Sequence, residues 1–151
     1  MLPAGIGWIA WRRRASVEGR TRRTNIILRF LTGEPAAQAE KVRHLVGQCE
    51  AGDFRLRIVP LVVAEVVFVL SGRYYGFSRE DIARTLIQFL ETPDFEVENR
   101  DVLIPALKLY AEKKIDWVDA YLAAEAMVFG EALASFDKDF RKVSGLDLMR
   151  M

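Results

Sequence analysis

At 151 residues the chain is long enough for one domain that buries roughly two thirds of its unfolded surface. Hydrophobic residues make up 51% and charged residues 28%, which is the balance of a soluble globular protein and excludes a disordered or fibrous class. Cys49 is the single cysteine, so an internal disulfide is excluded, and the expected home is a reducing compartment.

The net charge of +1 points to no partner, but the charges are unevenly placed. Residues 1–23 hold six arginines against Glu18 alone, so a basic, poorly patterned leader precedes a mildly acidic domain over residues 24–151. The leader has neither helical nor strand periodicity and reads as a poorly ordered, solvated tail, with nucleic-acid phosphates as the alternative use of its arginines. Its apolar start, residues 1–11, is too short to span a bilayer and carries its positive charges after the apolar run, the reverse of a secretory signal. The expectation is a cytoplasmic protein with no membrane segment.

The patterned chain begins at Thr24, with apolar residues at helical spacing to Leu31. Pro35 then starts a helix to about Glu50, with Ala39, Val42, Leu45 and Val46 on its buried face. His44, the single histidine, reads as a helical surface residue with no site role. A buried strand is expected around residues 56–59, and Pro60 separates it from a helix over residues 61–73. Ser78 caps the next helix, which runs to about Leu90. Residues 95–97 alternate as a short strand, and residues 100–112 form a helix that ends on Lys113 and Lys114. Asp116 caps a small-sided helix built on Ala120, Leu122, Ala123, Ala124 and Ala126. A strand over residues 131–136 and a short helix from Asp137 complete the chain. Strands alternating with helices predict an α/β architecture with a mostly parallel sheet.

In such sheets ligands gather beyond the carboxyl ends of strands. Glu65 is the one charge in the apolar run of residues 58–70, where an ionised carboxylate is costly unless it is paired or bound to a cation. Asp137 follows the last expected strand, and Asp119 opens a helix. Each acid also has a structural alternative: a wet helix stripe or an arginine partner for Glu65, and caps or helix-dipole partners for Asp116, Asp119 and Asp137. Together they offer hard oxygen ligands to Mg²⁺ or a similar cation. The chain has no His/Cys cluster for zinc, no glycine-rich phosphate loop after a strand and no nucleophile elbow.

Taken together, four stretches resemble the motifs of PIN-domain proteins, above all the VapC-type toxins of toxin–antitoxin pairs. They are Thr24-Asn-Ile-Ile-Leu-Arg-Phe-Leu-Thr-Gly-Glu34, Val59-Pro-Leu-Val-Val-Ala-Glu65, Asp116-Trp-Val-Asp-Ala-Tyr-Leu-Ala-Ala124 and Ser135-Phe-Asp-Lys-Asp-Phe140. The resemblance implies a three-layer α/β/α fold, Mg²⁺- or Mn²⁺-dependent cleavage of RNA, a cognate antitoxin and a homodimer. It places the second, third and fourth family acids on Glu65, Asp119 and Asp137, as catalytic metal ligands. Asn25 and Ser135 fall on polar supporting positions, and Asp116 stands behind the ligands. A PIN-fold binding module without activity, retaining antitoxin binding and dimerisation, is the alternative.

The chain departs from the family at its start. The family opens with an apolar strand running into Asp-Thr-Asn, whose aspartate is the first acid. Here the tripeptide is Arg23-Thr24-Asn25 after an arginine-rich stretch, so the central strand and the first acid are both missing from the pattern. Loss of that strand is expected to leave neighbouring strand edges unpaired, and Arg23 would set a guanidinium where a cation belongs. Either residues 6–11 supply a substitute strand, or the site is dead, or a frame shift or misassigned start lies just upstream of Thr24. On the last account the neighbouring reading frame of the gene encodes an apolar strand ending in Asp before Thr-Asn. Translating it tests this, and a frame without that strand rules it out.

Overall fold

The structure is a computed structural model that describes residues 8–13, 21–23, 26–149 and 151, with side chains from Ile26 onward except Phe54 and Arg150. Its contacts divide the chain into two compact units. One comprises Met1–Val66 with Glu91–Glu98, and the other comprises Val67–Leu90 with Asn99–Met151. Among the described residues no helix is long and apolar enough to cross a membrane.

The first unit holds the sheet. Its strands are β1 (Trp8–Arg13), β2 (Thr21–Arg23), β3 (Phe54–Ile58) and β4 (Phe95–Val97), in the order β2-β1-β3-β4. β3 and β4 pair in parallel with Leu56 opposite Phe95 and Ile58 opposite Val97, and the Glu98 amide extends the ladder to the Ile58 carbonyl at 2.9 Å. This parallel pair, with helices in the connection between its strands, is the expected α/β arrangement. Leu56 and Ile58 are fully buried while Arg55 and Arg57, which alternate with them, reach solvent, so β3 has the two-residue period of a strand with one dry face.

The leader differs from its sequence reading. Trp8–Arg13, overlapping the one candidate strand in that segment, runs antiparallel to β3, with Ile9 opposite Ile58 and Trp11 opposite Leu56. The edge of β3 that was expected to lie open is therefore paired. An open edge presents a row of unpaired backbone N–H and C=O groups, and any extended segment within reach lowers their cost. β2 continues the sheet antiparallel to β1, with Arg23 opposite Trp8. Both antiparallel pairings thus come from residues before Thr24.

In the same unit, α1 (Ile26–Thr32) and α2 (Ala36–Glu50) follow the sequence reading closely. Ile26, Ile27 and Leu28 bury one end of α1, and Ala39, Val42, Val46 and Cys49 form the dry stripe of α2. Cys49 Sγ–H donates to the Asp94 carbonyl at 3.6 Å, and burial pushes the thiol pKa up, so it is a packing residue rather than a nucleophile. α3 (Pro60–Ser71) starts at Pro60, where a missing N–H costs nothing, and its Val62, Val63 and Val66 are buried.

The second unit is helical: α4 (Arg79–Leu90), α5 (Arg100–Lys113) and α6 (Trp117–Phe129). Ser78 Oγ accepts the Asp81 amide at 3.1 Å, the cap expected for α4. α5 starts from Asn99, held in the left-handed region at φ 54°, which asparagine tolerates better than most residues. Asn99 Nδ2 donates to the Tyr121 hydroxyl at 3.2 Å and so ties the start of α5 to α6. Val102, Ala106 and Ala124 pack together, with Leu109, Trp117 and Tyr121 around them. The small alanines let the two helix backbones approach closely. Residues 131–136 are not the expected strand. They form one parallel bridge, Leu133 to Leu148, because the partner offered among the described residues is the short C-terminal segment around Asp147 and Met149.

Leu103 on α5 is fully buried, whereas Val118 on α6 is 63% exposed. Leu103→Ala is expected to lower unfolding free energy by about 2–5 kcal/mol, and Val118→Ala by no more than about 0.5 kcal/mol. Urea denaturation of the two variants beside the unchanged chain checks the contrast.

Candidate metal centre

Asp119 owes its position to the junction of α5 and α6. α5 ends at Lys113 and is capped by Lys114 at φ 53°, Ile115 is fully buried, and Asp116 turns the chain into α6 from an extended conformation. The Asp116 carbonyl accepts the Ala120 amide at 2.9 Å, but the Asp116 side chain makes no capping hydrogen bond. It therefore occupies the N-cap position without performing the capping read from the sequence. Asp119 is the third residue of α6, where free backbone amides and the helix dipole favour negative charge.

Asp137 comes from the turn after the Leu133 bridge. Ser135 Oγ accepts the Asp137 amide at 3.0 Å, and Asp137 Oδ1 accepts the Asp139 amide at 2.9 Å. These two bonds open a five-residue 3-10 helix, Lys138–Lys142, anchored by buried Phe140. Serine and aspartate favour such turns because their short side chains hydrogen-bond to backbone two residues on.

Among the described residues, Asp119, Asp137 and Asp139 each offer a carboxylate oxygen within 4.8 Å of the others. Asp119 and Asp139 are partly buried and Asp137 is exposed. Burial, and then the charges of Asp137, Asp116 and Asp139, raise the Asp119 pKa above its ordinary 3.8. Lys142 Nζ lies 2.8 Å from Asp139 Oδ1 and offsets part of this charge. An oxygen-only donor set with excess negative charge fits a hard divalent cation such as Mg²⁺ or Mn²⁺, and it does not fit zinc's preference for nitrogen and sulfur.

Of the residues singled out in the sequence, Asp119 and Asp137 are brought together, Ser135 supports Asp137 through its amide, and Asp116 adds charge beside Asp119. Glu65 stands partly buried on α3, in the first unit. Asn25 lies outside the described residues. Asp139 was missed. Its signal was the spacing Asp-Lys-Asp, which a tight turn folds back so that both carboxylates converge.

The raised pKa fixes a sign. Asp119 protonates more readily folded than unfolded, so its ionisation costs stability as pH rises from about 3.8 through the raised value. Asp119→Asn should therefore match the unchanged chain in acid and exceed it in stability at neutral pH. Thermal unfolding of both proteins across that pH range reads the difference, and a gap that closes at neutral pH overturns the assignment.

A comparison with family models matches the PIN domain over residues 24–146, beginning at the residue where the sequence pattern begins. Among curated relatives, the VapC ribonuclease of Aquifex aeolicus (strain VF5) is 26% identical over 121 residues, spanning 80% of this chain and 88% of that protein. No solved structure is a significant match. The residues that carry the resemblance, their order along an α/β chain and the match over most of its length agree: the chain belongs to the PIN-domain family.

Proposed function

We propose that this chain is a divalent-metal-dependent endoribonuclease and the toxin of a toxin–antitoxin pair. The observation that carries the proposal is the Asp119, Asp137 and Asp139 group in a PIN-domain chain similar to a VapC ribonuclease. Glu65 joins Asp119 and Asp137 in the ligand set through the family motif on which it falls, and Asp139 is added by geometry. A bound Mg²⁺ or Mn²⁺ supplies Lewis acidity toward a phosphodiester and an acidified water.

The chain's own residues do the rest. Ser135 and the Asp139 amide fix the turn that carries Asp137, so the carboxylate is set before any ligand arrives. Asp116 adds negative charge behind Asp119. Asn25 takes the polar supporting position of the family's opening motif. Val118, Leu122 and Phe129, exposed along one stripe of α6, give apolar surface suited to a protein partner, which supports a cognate antitoxin and a homodimer. The cytoplasm, where RNA and reducing conditions coincide, is the proposed compartment.

Arg23 stands where the family places its first acid, so activity is expected to be impaired and Arg23→Asp to raise it. The test is Mn²⁺-dependent cleavage of single-stranded and structured RNA, read beside calorimetric Mn²⁺ binding. Asp119→Asn should weaken Mn²⁺ binding and cut the rate by about 10²–10³-fold, as the loss of one preorganised electrostatic group does. Folded protein that neither binds Mn²⁺ nor cuts RNA, with Arg23 or with Asp there, overturns the proposal in favour of an inactive binding module.

A further inference from the structure

Phe136 sits between Ser135 and Asp137 and is 84% exposed, the most exposed large apolar side chain among the described residues. The bond from the Asp137 amide to Ser135 spans Phe136, and the bond from the Asp139 amide to Asp137 closes the turn that follows it. The second aromatic of the same segment, Phe140, is 3% exposed, so the turn is anchored through one ring while the other is held in water.

The charges around this ring are sorted by the helix that follows. A 3-10 helix has three residues per turn, so residues three apart share an edge. One edge of Lys138–Lys142 holds Asp139 and Lys142, which form the 2.8 Å ion pair at the carboxylate group. Another holds Lys138 and Arg141, both exposed. The third faces inward with Phe140. A flat apolar ring, two aligned cations and two of the three carboxylates thus fall within eight residues, 135–142.

A stacking ring flanked by backbone-tracking cations is how proteins hold unpaired nucleic acid. The ring's own neighbours in sequence, Ser135, Asp137 and Lys138, are polar or charged. We propose that Phe136 stacks on an unpaired base of single-stranded RNA beside the carboxylate group, while Lys138 and Arg141 contact the adjoining phosphates. The inference rests on the RNA-cleaving reading of that group and narrows it to single-stranded substrate.

The test is fluorescence anisotropy of the full chain with fluorescein-labelled oligoadenylate in EDTA, together with steady-state cleavage in Mn²⁺. Phe136→Ala should weaken oligoadenylate binding about ten-fold, within the range of a lost base–aromatic stack. It should raise KM with kcat held, and Mn²⁺ binding and thermal stability should not move. Phe136→Trp should restore binding and Phe136→Leu should not, because a flat face is required. Lys138→Gln and Arg141→Gln should each lower the slope of log affinity against log salt by about 0.7. The platform is overturned if Phe136→Ala binds as the unchanged chain does, if leucine rescues as well as tryptophan, or if the variant alters only self-association in sedimentation. An unchanged chain that binds the oligonucleotide through Phe136 but cuts nothing sinks the catalytic reading and leaves the platform standing. One that neither binds nor cuts sinks both.

Discussion

The placement of Asp119 depends on Arg79. From the first turn of α4, the Arg79 guanidinium lies 4.5 Å from the centre of the Tyr110 ring and donates to the carbonyls of Tyr110, at 3.1 Å, and Ile115. Those carbonyls flank the end of α5, where the last helical carbonyls lack intrahelical partners. One side chain therefore satisfies one of the last carbonyls of α5, bonds the residue before Asp116, and stacks on an aromatic that itself packs edge-on against Trp117 of α6. Lysine could not replace it, because the ammonium has neither the planar fork nor the stacking face. The start of α6, and Asp119 with it, follows from this three-way tie.

What that tie holds in place is unfavourable by itself. Three carboxylates converge within 4.8 Å, and the proton affinity of Asp119 rises in response. Such an arrangement persists only where surrounding structure dictates it: the α5–α6 junction on one side, and the pair of side-chain-to-amide bonds at Ser135 and Asp137 on the other. Lys142 relieves part of the repulsion, but a surface ion pair is worth no more than about 1 kcal/mol. The fold thus maintains a local excess of negative charge at the start of α6 and the turn that carries Asp137.

The first unit is governed by a different constraint. β3 has a dry face of Leu56 and Ile58 and two edges that need hydrogen-bond partners. β4 fills one edge in parallel. β1 fills the other from a stretch whose sequence shows no strand period, because backbone pairing recruits extended chain whatever its side chains. Periodicity reads side chains and is blind to that demand. The same blindness explains residues 131–136, where the pattern suggested a strand and the structure supplies a partner for one bridge only.

The sequence by itself determined the helices, within two residues at most ends, because apolar spacing, Pro60, Ser78 and the Lys113-Lys114 terminus are local signals that packing reinforces. It also determined the family, since Thr24-Asn25, Glu65, Asp119 and Asp137 stand in the family's order, and it marked Asp119 and Asp137 as members of one site. Tertiary structure alone decided that Asp139 joins them, that Asp116 adds charge without capping, and that Phe136 stands in water beside the group. The physical reason is that convergence of carboxylates and exposure of a ring depend on how a turn closes through hydrogen bonds. Spacing along the chain carries that information only for elements whose period is regular.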